Sequence, residues 1–289
     1  MRRRQLIAAV GAAAGTGLAG CSSSGTTGSV GAPSATPAST LLSADSAAAH
    51  RFFGTGLSPR TAGSFGLSRA ELLGRTRSAP GRILRVRYPA RSASPTVARQ
   101  FGRPQGGAQL YLPLRSGAAD HLHLRYYVRF PADFDFVKGG KLPGLYGGTA
   151  NNGRRIPDGE NGLSTRYMWR TNGAAEVYAY LPTSVAHGTS LDRGSWYWPL
   201  GRWTCVEQAV RLNTPGAFDG SVTVYVGGRR VMAAGGLEFR TTGRLKIEGV
   251  FFSTFFGGGD PSWATPRTQY ADFAAFAVSD RLIGPLPGT

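Results

Sequence analysis

Residues 121–130 (HLHLRYYVRF) alternate with a period of two. Leu122, Leu124, Tyr126, Val128 and Phe130 fall on one face, and His121, His123, Arg125, Tyr127 and Arg129 fall on the other. That spacing describes a strand with one face on a core. The same pattern predicts strands over residues 83–88, 164–170, 176–181, 204–212, 221–226, 245–256 and 270–278. Turn-forming pairs, Asn172-Gly173, Asp219-Gly220 and Gly227-Gly228, separate several of them. Residues 66–75 (GLSRAELLGR) read differently: Ser68 is placed to cap a helix with Glu71 three residues on, which predicts one short helix. Many strands and little helix predict an all-β fold, an antiparallel β-sandwich of jelly-roll type. A curved sheet of that kind offers a face on which an extended chain can lie.

The pattern breaks down at the N-terminus. Residues 1–21 have a basic start, a short apolar stretch and small residues before Cys21. They read as a secretory signal, too short and glycine-rich for a membrane span. Leu18-Ala19-Gly20-Cys21 resembles a bacterial lipobox, which makes Cys21 the expected lipidation site, and Arg3-Arg4-Gln5-Leu6 resembles a twin-arginine export signal. Residues 22–48 are mostly Ser, Thr, Gly, Ala and Pro, and read as a disordered linker. Residues 49–289 read as one domain. With Cys21 lipidated, Cys205 stands alone and no internal disulfide is expected. The expected location is the extracellular face of a bacterial membrane, lipid-anchored or secreted, and the expected state is a monomer.

Charge narrows the partner. The formal net charge is +17, with three lysines against thirty arginines. An anionic partner suits that balance. The basic residues are scattered rather than clustered, which argues against nucleic acid.

Two of the three lysines, Lys138 and Lys141, lie in residues 138–148 (KGGKLPGLYGG), among five glycines. This is not a phosphate loop, since Leu142 and Pro143 follow Lys141 where Ser or Thr is required. The glycines predict a sharp turn at a sheet edge. Ser164 and Arg166 share one face of a predicted strand, as do Tyr178 and Tyr180 on the next, and Asn172-Gly173 between them favours a hairpin. A Ser, an Arg and two Tyr on one surface beside a lysine suit an acidic sugar. A lyase removes the C5 proton of a uronate and expels the oxygen at C4. Arginine or lysine neutralises the carboxylate as charge builds there. Tyrosine can be base or acid, and neighbouring cations are expected to lower its pKa. Lysine can be a base if its pKa is depressed, and arginine practically cannot.

Other chemistries fit less well. His121 and His123 share a strand face without an evident third ligand, so neither metal nor cofactor is expected. No Gly-x-Ser-x-Gly elbow and no close run of carboxylates is evident.

The stretch KGGKLPGLYGG, Ser164-x-Arg166 followed by Met168-Trp169-Arg170, and Tyr178-x-Tyr180 together resemble polysaccharide lyase family 14, which includes alginate and glucuronan lyases. Residues 203–213 (WTCVEQAVRLN) and 251–258 (FFSTFFGG) are similar to it too, so that the resemblance runs from about residue 80 to 280. It implies a β-jelly roll whose cleft uses Lys141, Ser164, Arg166, Tyr178 and Tyr180. It implies that Lys141 and Tyr180 carry the proton chemistry, that Arg166 pairs with the substrate carboxylate, and that Ser164 and Tyr178 position the sugar. Acid and base are not assigned separately. Arg170, Arg125, Tyr127 and His187 complete the expected substrate-binding set. The expected function is cleavage of an acidic polyuronate by β-elimination. The alternative is a non-catalytic cell-surface module that binds anionic polysaccharide intact.

Overall fold

The computed structural model describes residues 40–149, 152–153 and 155–288. The signal segment, Cys21 and most of the expected linker lie outside the described residues. The linker's last part does not: Leu42 and Ala44 are buried in the core, so the packed domain already includes residues expected to be linker.

Among the described residues, fifteen strands run in chain order: β1 (Thr40–Leu41), β2 (Arg60–Phe65), β3 (Ala70–Leu73), β4 (Ile83–Tyr88), β5 (Ala108–Pro113), β6 (His121–Arg129), β7 (Gly139–Gly148), β8 (Gly162–Arg170), β9 (Ala175–Tyr180), β10 (Thr189–Leu191), β11 (Trp203–Arg211), β12 (Gly220–Val226), β13 (Arg229–Leu237), β14 (Gly249–Phe256) and β15 (Gln269–Ser279). They form two antiparallel sheets. One has the order β1-β3-β4-β15-β6-β11-β12-β13, and the other β10-β9-β8-β7-β14-β5-β2. This is the β-sandwich of jelly-roll type that the period-two pattern predicts. Two short helices, α1 (Ala47–Phe53) and α2 (Pro95–Phe101), are capped by the side chains of Ser46 and Ser94.

The core lies between the sheets. Leu122, Leu124, Tyr126, Val128 and Phe130 enter it from β6, and Leu163, Tyr167 and Trp169 enter it from β8. A buried polar bond ties the layers together: Thr165 Oγ1 on β8 donates to Gln208 Oε1 on β11 at 2.6 Å.

Two expectations are corrected. Residues 66–75 do not form a helix: Leu67–Arg69 make a single 3-10 turn, and Ala70–Leu73 pair with β4. Ala70 and Leu72 are both fully buried, so the period-two face wins over the local capping signal. Likewise, the glycine-rich stretch around Lys141 is not a turn at a sheet edge. It is the ten-residue strand β7, hydrogen-bonded between β8 and β14. The register shifts between Leu142 and Gly144, so Pro143, which has no N–H to give, sits at an irregularity. Gly140 is required by packing, because a Cβ there would come within 2.0 Å of the Trp169 ring.

Candidate active site

The register of the second sheet assembles the site. The turn at Thr171–Gly173, with Asn172 at φ 58°, closes β8 onto β9 as the hairpin that Asn172-Gly173 predicts. Across that hairpin Ser164 lies opposite Tyr180, and Arg166 lies opposite Tyr178. On the other side of β8, Lys141 of β7 pairs with Met168. Alternation sends Leu163, Tyr167, Trp169, Val177 and Ala179 into the core. Lys141, Arg166, Met168, Arg170, Tyr178 and Tyr180 therefore line a cleft of about 840 Å³ on the opposite face of the sheet.

Lys141 is buried, with its Nζ 2.9 Å from Met168 Sδ and 3.2 Å from the centre of the Tyr178 ring. Burial drives its pKa well below the ordinary lysine value, and the positive charges of Arg166 and Arg170 push the same way. The face of Tyr178 favours the ammonium form, but desolvation outweighs it. Lowering the pKa of a lysine in a cleft makes its amine more available as a proton acceptor.

Arg166 is 2 % exposed. Its Nη1 donates to Ser253 Oγ at 3.4 Å, and Ser253 in turn donates to Gln109 Oε1 at 3.0 Å. Its Nε has no hydrogen-bond partner, and it pairs with no carboxylate among the described residues. The guanidinium lies 4.7 Å from the centre of the Phe251 ring. A desolvated cation without a counter-charge is prepared to receive one.

The tyrosines depart from expectation. Burial raises both hydroxyls: Tyr178 is pushed up to about 12, and Tyr180 goes up despite the opposing effect of Arg166. Desolvation wins over the neighbouring cations, so both stay protonated. Their rings meet edge to face at 5.8 Å, and Tyr180 Oη donates to the Gly153 carbonyl.

Arg170 also reaches the cleft, but its charge is taken: its Nε donates to Glu176 Oε1 at 2.8 Å. His187 lines the cleft as expected, and Ser164 is fully buried opposite Tyr180. Arg125 and Tyr127 do not join the group. They sit on β6 in the other sheet, on the face turned away from the core. The C-terminal segment crosses that face: the Ile283 and Gly284 amides donate to the Glu207 carboxylate at 2.9 and 2.8 Å, and the Leu286 amide donates to Tyr127 Oη at 2.7 Å. On the same face the His121 and His123 rings lie 5.1 Å apart, and His123 Nδ1 is 2.7 Å from Glu207 Oε1. No three His, Cys, Asp or Glu side chains gather as a metal site among the described residues.

Three contributors were not read as site from sequence: Glu176, buried behind the cleft, and two parts of the cleft lining. Glu176 belongs to the period-two set with Tyr178 and Tyr180, and that spacing carries a usable signal. Arg193, and Trp263 with Arg99 of α2, come from distant segments that only the folded chain brings to one cleft.

A basic cleft lined with tyrosines on one face of a jelly-roll sheet is the equipment of a carbohydrate-active β-sandwich. The family model described as polysaccharide lyase 14 matches residues 76–276. The chain therefore belongs to polysaccharide lyase family 14 and is a polysaccharide lyase. Among solved structures it resembles a marine alginate lyase from Aplysia kurodai, with 30% identity and a TM-score of 0.64, over 75% of this chain and 89% of that one. It also resembles alginate lyase vAL-1 from Chlorella virus, with 22% identity and a TM-score of 0.62, over 77% and 92% of the two chains. A third is alginate lyase Aly36B, with 23% identity and a TM-score of 0.65, over 85% and 93%. No match is found among curated proteins.

Proposed function

We propose that this lyase cleaves an acidic polyuronate, alginate or glucuronan, by β-elimination, and that it works outside the cell, anchored by lipid at Cys21. The observation that carries the reading is the charge state of the cleft. A buried arginine that pairs with no carboxylate among the described residues stands beside a lysine whose pKa burial lowers and a tyrosine whose pKa burial raises.

The substrate carboxylate takes the open side of Arg166, which stabilises the charge that builds there as the C5 proton leaves. Neutral Lys141 accepts that proton. The C5 electron pair forms the C4–C5 double bond, and the C4–oxygen bond breaks. Tyr180 gives its proton to the departing oxygen, exchanging its bond to the Gly153 carbonyl for one to the sugar. The name carried by its structural relatives, alginate lyase, supports a polyuronate as the polymer.

The test is release of unsaturated ends, read by ultraviolet absorbance, from alginate, glucuronan and a neutral glucan. One uronate is expected to react and the glucan is not. Intact release of every polymer would leave a binding module instead. The pH profile has a defined sign. Lys141 must be neutral to act, so activity falls as pH drops through its lowered pKa, below the ordinary lysine value of 10.5. Tyr180 must keep its proton, so the alkaline limb lies above the ordinary tyrosine value of 10.0.

Export and anchoring rest on the Leu18–Cys21 pattern. Cys21→Ser is expected to move the protein from the membrane fraction to the soluble fraction. Equal membrane retention in that variant would remove the anchor from the reading.

A further inference from the structure

Glu176 is a fully buried carboxylate on β9, two residues before Tyr178 and opposite Met168 in the register. Both of its oxygens are engaged. Oε1 accepts from Arg170, through Nε at 2.8 Å and through Nη2, and Oε2 accepts from Arg193 Nε at 2.8 Å. Arg170 is largely buried in the cleft, whereas Arg193 is 53% exposed and follows the edge strand β10. His187, Gly188, Ser190 and Arg193 line the cleft from that segment, so the Arg193 contact ties one side of the cleft to the sheet.

Two arginines on the same strand face, Arg166 and Arg170, line the cleft, and the charge of each acts on Lys141. Only Arg170 has a counter-charge. We propose that Glu176 is a positioning residue that occupies Arg170 and so directs the substrate carboxylate to Arg166, while its second oxygen holds the 187–193 segment against the cleft. The inference rests on the lyase reading above.

The arrangement also sets the field at Lys141. Arg166 and Arg170 face it from β8, Glu176, Tyr178 and Tyr180 from β9, and Phe255 of β14 brings no charge. Glu176 favours protonated Lys141, and Arg170 disfavours it. Removing either partner therefore moves the acid limb of the rate profile in opposite directions.

The experiment compares kcat, KM and the pH profile of the full-length wild type, Glu176→Gln and Arg170→Gln on the uronate that the wild type cleaves. Glu176→Gln is expected to move the acid limb to lower pH by roughly one unit. Its kcat falls without a rise in KM, because the freed Arg170 binds the carboxylate out of place. Arg170→Gln is expected to move the limb to higher pH. A limb that stays put in both variants, or moves the same way in both, overturns the inference, since a merely structural pair gives no such opposition. If Glu176→Gln does not fold, Arg170→Gln decides alone, and an unmoved or lowered limb overturns it. An inactive wild type would instead defeat the lyase reading itself, so the two failures are distinct.

Discussion

Lys141→Met is expected to lower kcat on the polyuronate by about 10²–10⁴-fold, the usual worth of a positioned proton carrier, and to leave the protein more stable than the wild type. Both halves follow from one fact. The amine is buried beside two arginines, and its pKa lies well below the ordinary value. In the unfolded chain the same amine is protonated at neutral pH. The unfolded state thus binds the extra proton, and the wild type loses stability as pH falls below the ordinary lysine pKa. Methionine fills similar space and carries no proton, so it removes that penalty. Lys141→Arg separates charge from proton transfer, because arginine stays protonated. It is expected to be as inactive as Lys141→Met. Activity of Lys141→Arg near the wild-type level would show that the position supplies charge only. Thermal unfolding of Lys141→Met checks the second half, and a lowered midpoint would contradict it.

Trp169→Ala is expected to destabilise the domain by about 3–5 kcal/mol, the cost of deleting a large aromatic from a closed core. Trp169 is fully buried, and its ring lies 5.2–6.0 Å from those of Tyr88, Phe130, Phe134 and Phe256. Its Nε1 donates to the Phe136 carbonyl at 3.1 Å, so alanine also leaves a buried acceptor alone. The indole covers Gly140, the residue before Lys141, so the cavity opens directly beneath the lysine. Activity should therefore fall in the variant even where it is still folded. Denaturant unfolding gives the first number. A loss below about 1 kcal/mol would mean that the aromatic cluster is not the keystone its packing indicates.

The sheet faces were legible in the sequence wherever burial was one-sided. Alternation along β6, β8, β9 and β11 places the core-facing residues, because a strand turns successive side chains to opposite faces. The same rule put Arg166 with Ser164 and Tyr178 with Tyr180, and Asn172-Gly173 closed the hairpin between them. The glycine-rich strand β7 was not legible. Its glycines serve neighbours far along the chain, such as Trp169, and no local pattern records that use.

Where long-range packing acts, pattern alone misled. Arg125 and Tyr127 share the alternation that marks an outward face, but nothing in that alternation says which sheet the strand joins. The helix expected at 66–75 obeyed a valid capping rule and lost to strand pairing with β4. The tyrosine pKa values turned on desolvation, which depends on how much of the cleft closes over each ring. The sequence by itself determined the strand faces, the hairpin and the shared faces of Ser164 with Arg166 and of Tyr178 with Tyr180, because these depend on residue type and near-neighbour spacing. Only the tertiary structure decided which sheet carries them, that Arg170 is spent on Glu176 while Arg166 stands open, and that the Lys141 pKa is lowered. Those outcomes depend on burial and on charges brought together from separate strands.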